Sequence, residues 1–321
     1  MRALVTGGTG FVGSEVVRLL LDAGDTVRIF SRNKDLQAHF TGNVEVVQGD
    51  LGNADSLIDA MDEIDVLYHI GEIKNISRAA SEKNVRLIEE TLRKIKTKRV
   101  KRVVFVSSLT VSGIPSDIPA DENTAPGIIL NDHYTDYKRR AEKLLIGNAG
   151  DVDYAIIRPA PVYGPGSRYL GRLIDMLGRI GPVGVPFPGN AGNLAPLIHV
   201  RDLGQAIVRA GREPAAAGQI FNVTDGVRHS WREFLQAVAD TLGKKLRIFP
   251  LPRLLLKLAA LPVDLVSGFF GISLDPVSYV TYFSEDIFFD NSKTKKLLNW
   301  APRYSLSEGV KEMVEFYVQR K

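Results

Sequence analysis

The sequence predicts a doubly wound α/β protein, a parallel sheet covered by helices on both faces, with a smaller lobe toward the C-terminus. Three observations carry that reading. Short β-rich runs, "RALVTG", "TVRIFS", "VEVVQG", "DVLYHI", "RVVFVSS" and "YAIIRP", alternate with amphipathic stretches through the first half of the chain. Runs apolar on both faces and joined by helices pair in parallel through right-handed crossovers. The first run leads directly into a glycine turn, "TGGTGFVG", and then into the helical pattern "SEVVRLLLDAG". After "RPAPVYGPG" the texture changes to "GRIGPVGVPFPGNAGN", which reads as irregular loop.

"PLIHVRDLGQAIVRA" and "GQIFNVTD" then read as a helix and a strand that return to the sheet. The expected sheet domain therefore comprises residues 1–160 and 198–228. The smaller lobe is assembled from residues 161–197 and 229–321.

Composition narrows the function classes. At 321 residues the chain can bury a large core without an outside scaffold. The absence of cysteine excludes a disulfide framework, a thiolate metal site and a cysteine nucleophile. With "MRALVTGGTG" running straight into a strand and no apolar leader before it, a cytoplasmic location is expected. The net charge of +4 is scattered, and its densest run, Lys94 to Arg102, carries no aromatic residues. That run reads as a helix end wet by lysines, so no nucleic-acid partner is expected. The most apolar stretch, "LPRLLLKLAALPVDLVSGFFGISL", is broken by Pro252, Arg253, Lys257, Pro262 and Asp264. It reads as short helices near an apolar pocket or a membrane surface, not as a span of about 20 uninterrupted apolar residues.

Gly7, Gly10 and Gly13 fall between the first strand and the first helix, and Gly8, Gly10 and Gly13 also satisfy the G-x-G-x-x-G spacing. Glycines there permit a tight turn and a close approach of backbone, so that the helix start at Phe11, Val12 and Gly13 faces a dinucleotide pyrophosphate. Cofactor choice falls at the end of the second strand, where an acid would accept from the ribose of NAD. Here Ser31 and Arg32 stand instead, and a guanidinium pairs well with a 2′-phosphate. NADP(H) is the preferred cofactor and NAD(H) the other option. Asp50 and Leu51 close the third strand, where the carboxylate either accepts from an adenine amino group or caps the following turn.

"DHYTDYK" places Tyr134 and Lys138 one helical turn apart, so both project from one face. An ammonium beside a phenol favours the phenolate. The spacing recurs at Tyr317 and Lys321, so context must choose. "VVFVSSLTVSG" supplies it: a buried strand ends in Ser107 and Ser108, and ligand chemistry gathers at the carboxyl ends of strands. His39, His69, His133, His199 and His229 show no metal-ligand spacing, so no metal is expected.

Taken together, "TGGTGFVG", "GDL", "HIGE", "KNVR", "VSSLTVSG", "YTDYK", "RPAPVYGPG", "HVRDL" and "NSKTKKLLNWAPRYSLSEGV" make the chain resemble the extended short-chain dehydrogenase/reductase family over essentially its whole length. The family is also called the NAD-dependent epimerase/dehydratase family, and its fold is Rossmann-type. The resemblance implies a catalytic Ser108, Tyr134 and Lys138, with Lys138 also binding the nicotinamide ribose, Asn84 on the family's asparagine-containing helix, a small-molecule substrate, and a homodimer. Ser108 is preferred to Ser107 because it lies five residues before Gly113, as in the family pattern. "HIGE" departs from the more usual His-x-Ala-Ala.

Other departures bear on substrate. Sugar dehydratases of the family tend to carry Asp-Glu after the catalytic hydroxyl; here Leu109 and Thr110 follow. Nucleotide-sugar enzymes commonly hold a diphosphate with an arginine before the His-Val-x-Asp stretch; here Ala195 stands there, which leaves Arg168, Arg172 and Arg179 as substitutes. The tail is similar to the 3β-hydroxysteroid dehydrogenase and dihydroflavonol reductase-like branch. The expectation is an oxidoreductase acting on a hydroxyl or carbonyl of a hydrophobic substrate, with "LPRLLLKLAALPVDLVSGFFGI" as core, pocket wall or membrane-facing lid. A nucleotide-sugar epimerase is the alternative, and a non-catalytic dinucleotide sensor the third reading.

Overall fold

The computed structural model describes residues 1–34, 42, 44–73, 77–148, 152–180, 184–269 and 276–320, so His39 lies outside the described residues, as do the side chains of Arg168 and Asp264. Seven strands form the main sheet: β1 (Arg2–Thr6), β2 (Thr26–Ser31), β3 (Val44–Gln48), β4 (Val66–His69), β5 (Arg102–Val106), β6 (Asp153–Pro159) and β7 (Gln219–Val223). Their spatial order is β7-β6-β5-β4-β1-β2-β3, and every pairing is parallel. The chain builds outward from β1 to β3, then crosses back to lay β4 on the other side of β1. The strand order reverses there, which opens a crevice at the carboxyl ends of β1 and β4.

Helices α1 (Phe11–Asp22), α2 (Ala54–Asp59), α3 (Arg78–Ile95) and α4 (His133–Gly147) precede the lobe segment. Helices α5 (Arg168–Ile180), α6 (Val200–Arg212), α7 (Trp231–Thr241), α8 (Arg253–Phe269), α9 (Pro276–Tyr282), α10 (Ser292–Leu297) and α11 (Leu306–Val318) follow. Strand alternation sorts them onto two faces. Ala3, Val5, Val104, Ala155 and Ile157 point to the face where α1 and α6 bury Val17, Leu20, Leu203 and Ile207. Leu4, Phe105 and Ile156 point to the face where α3 and α4 bury Ile88, Leu92, Ala141 and Leu145. A third cluster gathers Tyr163, Ile174, Leu177, Trp231, Phe234, Val310 and Val314.

The basic run does read as a wet helix end: Lys94 pairs with Asp55, Lys98 with Asp62 at 2.6 Å and Lys101 with Asp65 at 3.2 Å. The apolar stretch differs from expectation in form. From Arg253 to Phe269 it is one continuous helix, α8, with Pro262 in its interior. Proline's fixed φ is itself helical, so the cost is one missing hydrogen bond and crowding of the preceding turn. Nor is this stretch core: Leu254, Leu255, Leu258 and Leu261 are 69%, 61%, 53% and 47% exposed. No helix among the described residues is long and apolar enough to cross a membrane. "VSYVTYF" ends inward, with the Phe283 ring tilted by 59° against that of Trp231 at 4.9 Å between centroids.

Two of the quoted motifs prove to be one contact. In "HVRDL", the Asp202 carboxylate accepts from the backbone N–H groups of Arg303 (3.0 Å) and Tyr304 (3.1 Å), and its carbonyl accepts from Trp300 Nε1 (2.9 Å). The C-terminal segment is thereby clamped to α6. Asp202→Ala leaves both backbone donors without a partner, at about 1–3 kcal/mol each. A loss of roughly 2–4 kcal/mol in urea denaturation is expected, with the midpoint falling and the slope unchanged.

Candidate active site

Three glycines shape the head of the crevice. Gly7 adopts φ of 70°, a left-handed conformation that favours glycine. A Cβ on Gly13 would lie 2.0 Å from the Gly7 carbonyl oxygen, and one on Gly7 would lie 2.7 Å from Gly71 Cα. The backbone therefore closes where no side chain fits. Gly10 caps α1 without any side-chain acceptor, whereas Asn53, Ser77 and Asp132 accept from the amides at the starts of α2, α3 and α4. The amides around Phe11, Val12 and Gly13 thus face the crevice with the positive end of the helix dipole and no competing anion. This cradle fits the pyrophosphate of a dinucleotide.

The remaining expected cofactor residues lie along the same edge, at the ends of β2 and β3. Ser31 Oγ accepts from the Asn33 amide at 3.2 Å, and its carbonyl accepts from Gly49 N at 2.9 Å. Arg32 is exposed, and its guanidinium meets no carboxylate among the described residues. Asp50 Oδ1 accepts from Gly52 N at 2.6 Å, closing a turn. Capping of α2 falls to Asn53, so the carboxylate of Asp50 serves the turn and not the helix. Leu51 packs against the α3 side of the core.

Tyr134 and Lys138 sit on the first two turns of α4, which starts where it does because Asp132 accepts from the Thr135 amide at 2.7 Å. Lys138 is 3% exposed. Its Nζ donates to the Val106 carbonyl at 2.8 Å, pairs with Glu72 at 3.1 Å, and lies 5.5 Å from the Tyr134 ring centroid. Ser108 Oγ, at the end of β5, accepts from Thr110 N (3.2 Å) and from the Thr110 hydroxyl (3.0 Å). Its own O–H remains for the Tyr134 oxygen, which it helps to hold. The neighbouring serine is spent elsewhere: Ser107 donates to Glu142 Oε1 at 2.5 Å. The competing tyrosine is also committed, since Tyr317 donates to Asp175 at 2.5 Å, and Lys321 lies outside the described residues.

The lysine acts in the expected direction but does not set the outcome. Lys138 and Ser108 do pull the Tyr134 hydroxyl down, but burial outweighs them and Glu72 adds to the rise, so the hydroxyl is pushed up to about 12. The side chain keeps 39% of its surface open to the crevice, while the protein packed around its oxygen removes water from the charged form.

Sequence reasoning missed two partnerships. Glu72 was visible only as the odd last letter of "HIGE"; nothing local tied it to Lys138. Glu142, one turn beyond Lys138, forms a buried pair with Arg158 of β6 at 2.6 Å, and Arg158 also reaches Ser112 at 3.3 Å. Asn84 holds the segment that carries Glu72, accepting from Ile73 N at 2.9 Å and donating to Ile73 O at 3.0 Å. Among the described residues no group of three His, Asp or Glu side chains is placed to hold a metal ion.

The model of the NAD dependent epimerase/dehydratase family matches residues 3–224. The chain belongs to that family. It is similar to a 3 beta-hydroxysteroid dehydrogenase/Delta 5→4-isomerase of Mycobacterium tuberculosis, 29% identical over 339 residues that cover 99% of this chain and 90% of the relative. A UDP-glucose 4-epimerase of Vibrio cholerae is 27% identical over 335 residues, covering 98% of this chain and 95% of that one. Among solved structures, the UDP-glucuronic acid 4-epimerase of Bacillus cereus, in complex with UDP-glucuronic acid and NAD, superposes with a TM-score of 0.79 at 20% identity, covering 100% of both chains. The seven-stranded Rossmann-type sheet is the family's, and the protein is an enzyme of the NAD(P)-dependent extended short-chain dehydrogenase/reductase type.

The glycine cradle makes a direct prediction. Gly13→Ala, which forces a Cβ into the Gly7 carbonyl, is expected to weaken dinucleotide binding at least tenfold in calorimetric titration. Gly147→Ala, in the last turn of α4 where a Cβ meets nothing within 4 Å, is expected to leave binding unchanged.

Proposed function

We propose that the protein is an oxidoreductase, with NADP(H) as preferred cofactor, that interconverts a hydroxyl and a carbonyl on a hydrophobic substrate. The observation that carries this reading is the meeting of Ser108, Tyr134 and Lys138 at the carboxyl end of β5, beside the uncapped start of α1. In this reading Tyr134 passes its hydroxyl proton to the substrate oxygen, or receives one from it. Ser108 orients that oxygen by turning toward it the O–H that holds the Tyr134 oxygen in the free protein, and Lys138 supplies the positive charge that stabilises the phenolate left behind. The α1 cradle would hold a nicotinamide dinucleotide and Lys138 its nicotinamide ribose, and the bound dinucleotide would supply or accept the hydride.

The substrate class is supported by what surrounds the site. Leu109 is 3% exposed and Thr110 is bonded to Ser108, so neither position carries the acid pair of a dehydratase. Ala195 is 2% exposed and paired across to His229, where an arginine would be needed to hold a diphosphate. The exposed leucines of α8 offer apolar surface to a lipid-like substrate or a membrane-facing lid. NADP(H) is supported by the exposed, carboxylate-free Arg32 in place of an acid at the end of β2. The second reading, nucleotide-sugar epimerisation, is favoured by the full-length similarity to UDP-glucose 4-epimerase.

Near-ultraviolet absorbance distinguishes them. With a panel of hydrophobic ketones, NADPH consumption is expected to exceed NADH consumption, and Tyr134→Phe to lower turnover about 100-fold or more. Arg32→Asp is expected to reduce the preference for NADPH by roughly tenfold to a hundredfold, the worth of a charge-assisted pair. Interconversion of an added nucleotide sugar, with no ketone reduced, would replace this reading with the epimerase.

A further inference from the structure

Glu72 occupies a position where the family more usually has a small apolar residue, and its carboxylate lies 3.1 Å from the Lys138 ammonium. The backbone that delivers it has little freedom to retreat. Thr6 Oγ1 accepts from Ile70 N at 3.2 Å and Gly71 N at 3.0 Å, and Asn84 takes both polar groups of Ile73. Gly71 sits against Gly7 so closely that a Cβ on it would lie 2.7 Å from Gly7 N. Lys138 is equally fixed, by Val106 O and by the faces of Phe105 (5.0 Å) and Tyr137 (4.8 Å). Two oppositely charged groups are therefore held in contact one helical turn from the Tyr134 hydroxyl.

We propose that Glu72 is a positioning residue for the Tyr134–Lys138 pair: by taking up part of the lysine's charge it holds Tyr134 as a proton donor. This rests on the reading of Tyr134 as the proton carrier, and deepens it. A lone ammonium stabilises a neighbouring phenolate, whereas an ammonium already paired with a carboxylate is nearly neutral at a distance.

The titratable and charged groups that bear on the Tyr134 oxygen are Lys138 and Tyr137 from α4, Glu72 from the segment after β4, and Ser108 from the turn after β5. Two further groups stand near the lysine and do not offset Glu72. His69 of β4, stacked on Phe105 at 5.9 Å, is kept neutral, its pKa lowered to about 3 by burial and by Lys138. Glu142 is occupied by Arg158. Removing the Glu72 charge leaves Lys138 unopposed, so the phenolate forms at lower pH. A residue returned unchanged after each turnover moves the pH dependence of both directions and not the overall equilibrium.

The test needs no substrate. Phenolate formation in the free protein is followed by near-ultraviolet absorbance, with Tyr134→Phe subtracted, at pH values where circular dichroism shows the fold intact. Glu72→Gln is expected to lower the Tyr134 midpoint by about one pH unit, roughly tenfold more phenolate at a fixed pH. Glu72→Asp, which keeps the charge, should titrate between the two, and Glu72→Ala replaces the glutamine variant if that variant does not fold. A midpoint that stays or rises in folded Glu72→Gln, or an aspartate variant that titrates with the glutamine one, overturns the proposal. A downward shift in a protein that reduces no hydrophobic ketone upholds Glu72 and overturns the substrate reading instead.

Discussion

Burying the Lys138 ammonium to 3% of its surface costs several kcal/mol unless protein groups replace water, and the groups that do so join three elements of the sheet edge. Val106 O comes from the end of β5, Glu72 from the segment after β4, and the aromatic faces from β5 and α4 itself. Each contact fixes α4 along the sheet. A slide of one residue would carry the ammonium away from its carbonyl and its carboxylate together. One turn earlier on the same helix, Tyr134 inherits that placement, and Ser108 meets it because β5 ends where the lysine is anchored. The Ser107–Glu142–Arg158 bonds repeat the tie one turn further along, so the helix is held at two points.

The glycine cradle and the Tyr134–Lys138 pair are joined by a short stretch of backbone. Gly7 approaches Gly71 too closely for any side chain, and Gly71 is followed at once by Glu72. The turn after β1 and the lysine are thus linked by consecutive contacts, Gly7 to Gly71 and Glu72 to Lys138. The link exists because β4 returns to lie beside β1, bringing the ends of two strands that are distant in sequence into van der Waals contact. The crevice of a doubly wound sheet is usually described as a gap; here the glycines make it also a junction.

The smaller cluster is built on different terms. Trp231, Phe234, Val310 and Val314 pack α7 against α11, and α5 joins them through Ile174 and Leu177. Helix α8 stands outside that core, with Leu254, Leu255, Leu258 and Leu261 exposed. Covering apolar surface lowers its free energy in water, so these leucines are a site where stability can be gained by burial.

Much of this was legible locally. Continuous apolar runs such as "RVVFVSS" mark strands buried on both faces, glycine spacing marks the cradle, and the four-residue interval marks Tyr134 and Lys138, because each is a local pattern that the backbone converts directly into geometry. The two adjacent serines differ in their partners, Ser107 donating to Glu142 and Ser108 accepting from Thr110. What local pattern does not carry is partnership between segments. That Glu72 faces Lys138, that Asp202 clamps Arg303 and Tyr304, and that burial outweighs the lysine at Tyr134 all depend on strand order and helix placement across the sheet. The sequence by itself determined the fold class and the residue types at the site, since those follow from neighbours in the chain. Only the tertiary structure decided which charges meet, because Coulomb energy and desolvation depend on distances through space and not along the sequence.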